Sequence, residues 1–197
     1  MTDKIATLPQ KNYAPRQGIL GVWDTIVGPK MSTTETLVCA LPTLVATIYI
    51  PCYAIIHQLQ WNNIQLILSA ILAFDLFGGA IVNITPTSKR WHHRSQNGWQ
   101  NYFGFVLIHL HPILITLFYG ASWSFFVGAY SYLILSAAII LFSPKYFQKA
   151  IAISLYLGSL ILSNDWLPAI DGMEWFLPVY FLKLLVSYLP EETLTEK

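Results

Sequence analysis

The chain has 197 residues, of which 55% are hydrophobic and only 11% charged. Soluble domains carry about a quarter charged residues, and here the apolar residues gather in long runs with no amphipathic period, so a bilayer replaces a large soluble core as the solvent of the fold. A net charge of +1 gives no electrostatic footprint for nucleic acid. Cys39 and Cys52 stand thirteen residues apart in the first long apolar run; as helix that is roughly 20 Å, beyond disulfide reach, and the pair reads as reduced packing residues.

Residues 1–17 are polar, hold Pro9 and Pro15, and read as a loose tail. The first 35 residues show no basic region leading into an apolar one, so the first span itself is expected to insert the chain instead of a cleavable signal. Ile19, Leu20, Val22, Trp23, Ile26 and Val27 recur at helical spacing until Gly28-Pro29 stops them. This stretch is too short to span and predicts an amphipathic helix lying at the membrane interface, the alternative being a short helix packed on the protein's own surface.

Ser32-Thr33-Thr34-Glu35 fits a capping box that opens the first span, about 34–56. Further spans are predicted over about 61–84, 100–119, 122–143, 146–163 and 173–189. The last two are near the lower length limit, and a five-helix count with a half-inserted end is the main rival. The predicted fold is thus an all-α polytopic membrane helix bundle of about six transmembrane helices with an N-terminal interfacial helix. Its organisation is a tail and interfacial helix over 1–33, a transmembrane domain over 34–189 and a polar C-terminal tail over 190–197.

Basic residues in the loops set the orientation. Lys4, Lys11, Arg16 and Lys30 precede the first span, Lys89, Arg90 and Arg94 lie between the second and third, and Lys145 and Lys149 between the fourth and fifth. The intervening loops have none, and the last carries Asp165, Asp171 and Glu174. Six spans with both termini in the cytoplasm satisfy every loop, and the short loops and compact chain point to a bacterial inner membrane. Trp61, Trp91, Trp99, Trp123, Trp166 and Trp175 fall near helix ends, as interfacial anchors do. Small residues at Thr36, Ala40, Thr43 and Thr47, at Gly78 and Gly79, and at Ala150, Ser154 and Gly158 mark faces where helices approach closely.

Asp75, His109, His111 and Lys183 lie inside these spans. A charge in hydrocarbon is costly enough to be a functional candidate by default, the bland alternative being an ion pair that locks the bundle. Counted from their cytoplasmic ends, Asp75 and His109 reach the same depth, roughly 15 Å, on sequential antiparallel helices, so contact between them is expected, with Lys183 at a similar, slightly shallower depth. Tyr102, His109 and Thr116 share one face, whereas His111 points about 200° from His109 in a regular helix. Pro112 removes an N–H that would bond the carbonyl of Ile108. The expectation is therefore that His109 faces the centre and that His111 joins only if this turn distorts.

Asn83, Lys89, Arg90, His92, His93 and Arg94 follow directly after the second span at the cytoplasmic mouth, with Tyr102 nearby. They are candidate substrate-binding residues suited to an anionic head group, although a basic cytoplasmic loop is also what topology alone requires. His57, near the outer end of the first span, is read as interfacial and given no role.

The reading favoured by this pattern is an integral membrane enzyme acting from the cytoplasmic side on a lipid or other apolar substrate. Asp75, His109, His111 and Lys183 would do acid–base or metal-assisted chemistry. Asp75, His92, His93, His109 and His111 are the candidate ligands should a divalent metal bind; the weak spacing of the set leaves the cofactor open. Haem is disfavoured because only the third span carries buried histidines. A small transporter or proton-relay subunit is the alternative, and a structural subunit of a larger complex a further one; in each case the bilayer and an oligomeric or complex partner are the expected company.

Overall fold

The computed structural model describes residues 14–94, 98–165, 167 and 170–191. They form an all-helical bundle, with no strand among the described residues. The elements are α1 (Ile19–Val27), α2 (Thr33–Ile56), α3 (Asn63–Val82), α4 (Pro86–His92), α5 (Trp99–Leu107), α6 (His111–Tyr119), α7 (Trp123–Phe142), α8 (Gln148–Asp165) and α9 (Phe176–Phe181), the last continued by a π-helical segment, Leu182–Tyr188. A 3₁₀ turn, Lys145–Phe147, leads into α8. Five helical stretches among the described residues are long and apolar enough to cross a membrane: Thr33–Ile56, Asn63–Val82, Trp99–Tyr119, Trp123–Phe142 and Lys145–Asn164. This is the chemistry of a multi-pass membrane protein. Trp166 and both polar tails, 1–13 and 192–197, lie outside the described residues.

Local chemistry sets the helix starts. Ser32 caps α2, its Oγ accepting from the Glu35 backbone N–H at 3.1 Å while Glu35 Oε2 accepts from the Ser32 N–H at 3.0 Å. Asn62 and Gln65 repeat the same reciprocal arrangement at α3. The loop after α3 contains a helix that hydrophobic periodicity does not reveal. Thr85 caps α4 through the Ser88 N–H at 3.2 Å, Pro86 starts it, and Lys89, Arg90 and His92 fill its last turn. Those residue types suit the two ends of a helix dipole.

Two predicted spans differ from expectation. The third breaks into α5 and α6, with Ile108–Leu110 outside helix and Pro112 in the first turn of α6. The sixth is shorter than a span: its six α-helical and seven π-helical residues reach roughly 20 Å, against the 30 Å of a hydrocarbon core. It is also the most enclosed element, with Phe176, Tyr180, Phe181, Leu184, Leu185 and Leu189 essentially without exposure. It packs on α3, α7 and α8 and forms the axis of the bundle. α2 lies at the periphery along α3, where a Cβ on Gly78 would come within 3.2 Å of Thr43 Cγ2. The small-residue faces of α2 and α3 therefore meet, as close helix approach requires. Cys39 is buried and Cys52 exposed, both as free thiols.

Candidate functional site

Asp75 lies midway along α3 and holds two partners through one oxygen. Oδ2 accepts from Lys183 Nζ at 2.6 Å and from His111 Nε2 at 3.1 Å. Lys183 is only 3% exposed in its side chain, His111 19%, and Asp75 44%. The cation is thus sealed inside the bundle while the carboxylate stands at its edge. Asp75 shares its side of α3 with Ile71 and Phe74, which are themselves largely exposed. Gly79, one turn from Asp75, makes the seat for the lysine, because a Cβ there would stand 2.4 Å from Lys183 Cε. The π-helical winding around Lys183 widens this part of the last element, a distortion that recurs at functional sites.

The direct histidine partner differs from the expected one. His109 is buried, and its Nδ1–H donates to the Phe105 carbonyl at 2.6 Å. The broken turn at Ile108–Leu110 abolishes the regular 200° offset, and His111 reaches Asp75 instead. The two imidazoles remain neighbours, with ring centroids 5.2 Å apart. Because His111 Nε2 serves the carboxylate, a neutral ring carries its free lone pair on Nδ1, which is buried without a partner. Tyr180 is the residue that sequence reasoning missed. Its hydroxyl donates to the His109 carbonyl at 2.6 Å, and its ring lies 6.0 Å from that of His111. It thereby holds the loosened turn, and its position one turn before Lys183 is the only hint of this in the sequence.

The second candidate cluster acts as a clasp at the end of the bundle. Lys89 donates to the carbonyls of Tyr188 and Pro190 at 3.3 and 2.7 Å, and His93 Nε2–H donates to Tyr188 at 2.8 Å. These carbonyls close the last helix, where a cation and N–H donors are favoured. His92 Nε2–H donates to Ile26 and Trp91 Nε1–H to Thr25, both at 2.9 Å, which pins α1 against α4. Arg90 bonds Thr87 Oγ1 at 3.1 Å, and the Arg94 guanidinium lies 3.6 Å over the Trp91 ring. Tyr102 is buried and stacked on His93, centroids 4.8 Å apart. Asn83 is buried, with its Nδ2 unpartnered. The structure therefore draws Lys89, His92, His93 and Tyr102 into internal contacts and leaves Arg90 as the exposed basic side chain of α4.

Burial, reinforced by the Lys89 ammonium, pushes the His93 imidazole down to about 3. Burial likewise lowers His92, with Arg94 and Lys89 adding to it. Both rings are accordingly neutral donors to carbonyls near neutral pH. On α1, the hydrogen bonds from Arg16 lower the Asp24 carboxyl, and the Asp24 Oδ1–Arg16 Nη2 contact is 2.6 Å.

The five candidate metal ligands are not gathered in one place. His92 and His93 serve Ile26 and Tyr188, His109 serves Phe105, and only His111 meets Asp75. Among the described residues no group of three His, Cys, Asp or Glu side chains is arranged to hold a metal ion. His57, at the end of α2, stacks on Tyr53. No family model, curated protein or solved structure matches the chain.

Proposed function

We propose that the protein is a membrane-embedded acid–base enzyme acting on a lipid or other apolar substrate, with Asp75, His111 and Lys183 as its centre. The observation that carries this reading is the uneven burial of the triad. A purely structural lock would seal and satisfy all three groups, whereas here the carboxylate stays 44% exposed beside the apolar flank of Ile71 and Phe74. That edge is where a lipid-borne substrate would arrive. Lys183 would hold the Asp75 charge and His111 would carry the mobile proton, with His109 and Tyr180 positioning the broken turn. Ionisable groups within a span are a functional-site hypothesis by default.

The orientation proposed here has both termini on the cytoplasmic side of a bacterial inner membrane, supported by the basic loops. α1 would lie flat at that surface: Ile19, Leu20, Val22, Trp23 and Ile26 are exposed while Asp24 and Val27 are buried. The sixth segment would then be a short central helix enclosed by five spans.

The test is an unbiased conversion assay. Purified protein in proteoliposomes is incubated with a total polar lipid extract and the products are read by mass spectrometry, alongside Asp75→Asn and His111→Gln variants that retain their melting temperature. A species consumed by the wild type and spared by both variants supports the enzyme. Unchanged lipids together with proton flux lost in Asp75→Asn would replace it by a proton relay, the second reading. That reading draws on the buried, unpartnered Asn83 Nδ2 and Ser88 Oγ, which lie toward the α4 end of the bundle from Asp75.

A further inference from the structure

At the end of the bundle remote from α4 lies a cavity of about 290 Å³. Its walls are apolar, formed by Ile115 of α6, Phe125 of α7, Leu160 of α8, Leu177 of α9, and Leu167 and Met173 of the connecting segment. Its polar groups are Ser163, Asn164 and Glu174. The volume is about twice the roughly 150 Å³ that accepts one benzene-sized guest in an apolar protein cavity. It suits part of an alkyl chain or a small ring system.

The described residues of the connection between α8 and α9, Leu167 and 170–175, lie outside helix and strand, and membrane proteins place such backbone where it packs on protein or lines a cavity. Two glycines hold it down. A Cβ on Gly128 would stand 2.9 Å from Leu167, and a Cβ on Gly172 would stand 2.4 Å from Leu59 and 2.8 Å from Trp61. Gly172 also has φ +82, a conformation that favours glycine. The wall is thereby built into the fold.

Charge selects the occupant. Neither 31–88, 95–144 nor 150–182 contains a lysine or arginine, so the segments that form this end supply Asp171 and Glu174 and, of basic residues, only His57 at the end of α2. Glu174 Oε1 accepts from the Gly172 N–H at 3.1 Å, which fixes the carboxylate at the cavity. Trp123 and Trp175 belong to the same end of the bundle, the level where aromatic belts meet lipid head groups.

We infer that this cavity is a binding site for a single-chain amphiphile with a cationic ammonium head: the chain enters between Ile115, Phe125 and Leu177, and the head pairs with Glu174. The site is separate from the Asp75 centre and stands whether or not that centre does chemistry.

The test is a fluorescence titration of the full chain in nanodiscs with a dansyl-labelled alkylammonium, set against the alkyl alcohol and alkyl carboxylate of equal length. Saturable binding of the ammonium probe is expected, about tenfold tighter than the alcohol and with the carboxylate weakest, an order set by one charge-assisted contact. Glu174→Gln should bring the ammonium probe down to the alcohol, and Leu177→Trp, which narrows the cavity, should weaken saturable binding of all three. Gel filtration and melting temperature check that both variants fold. Binding unchanged in Leu177→Trp, no saturable binding by the wild type, or a preference for the carboxylate would each overturn the inference.

Discussion

Replacing Gly79 by alanine is expected to unseat Lys183 without touching either partner of the ion pair. The added Cβ would lie 2.4 Å from Lys183 Cε, 3.0 Å from Cδ and 3.1 Å from Nζ. Carbon atoms in contact settle at about 3.5–4.0 Å, so the lysine must retreat by roughly 1 Å. Its 2.6 Å bond to Asp75 then stretches to the edge of hydrogen-bonding distance. A lysine end usually yields cheaply, but this one is 3% exposed and has no solvent to move into. Breaking a buried pair from one side costs about 3–5 kcal/mol. The half-exposed Asp75 keeps its hydration and His111, which reduces the figure to about 2–4 kcal/mol. Alanine is intrinsically better in a helix than glycine by about 1 kcal/mol, so the net loss is about 1–3 kcal/mol.

The assay is reversible unfolding in mild detergent followed by tryptophan fluorescence, run as a cycle with Lys183→Ala. The double variant should be less destabilised than the sum of the two singles, because truncation removes the atoms that clash. A neutral or stabilising Gly79→Ala would show that Lys183 does not sit against Gly79, and the account of the triad would fall with it.

Pro112→Ala should restore the missing N–H, allow α5 and α6 to merge, and carry His111 off Asp75; NMR titration of labelled histidine would report the change, and an unaltered His111 signal would refute the role given to the break. The clasp should respond to acid. His93 falls from an ordinary value near 6.5 to about 3 in the fold, so the unfolded chain binds the extra proton between those values. Its contribution is fully present above pH 6.5 and declines as pH falls toward 3, by at most about 1.4 kcal/mol per pH unit; a melting-temperature profile flatter in His93→Gln than in wild type is the expected result. Glu35 caps α2 and also accepts from Thr87 Oγ1 at 3.0 Å, so Glu35→Ala should cost about 1–2 kcal/mol in detergent unfolding, whereas a surface carboxylate without these partners would cost a few tenths.

Helix starts with local causes were legible along the chain: the Ser32–Glu35 box, the Gly28-Pro29 stop and the long apolar runs each depend on residues within a few positions of one another. α4 was not, because its signal is a cap, a proline and three basic residues with no apolar period to announce it. The Asp75–Lys183 pair was legible in part, since their similar depth on the second and sixth spans follows from helix rise alone. Which histidine would meet Asp75 was not, because it depends on how far one proline opens a turn and on Tyr180 donating to the His109 carbonyl.

By itself the sequence determined an all-helical chain with long apolar segments and a few ionisable groups within them, for composition and helical rise are local and additive. The tertiary structure decided that the last segment becomes a short buried axis, that His93 and Lys89 close its carbonyls, and that Asp75 stands at the edge while Lys183 is sealed behind Gly79. Those outcomes depend on which faces of separate helices pack together. That choice is made by side-chain shape and by satisfying buried polar groups across residues about a hundred positions apart, and no window of sequence contains it.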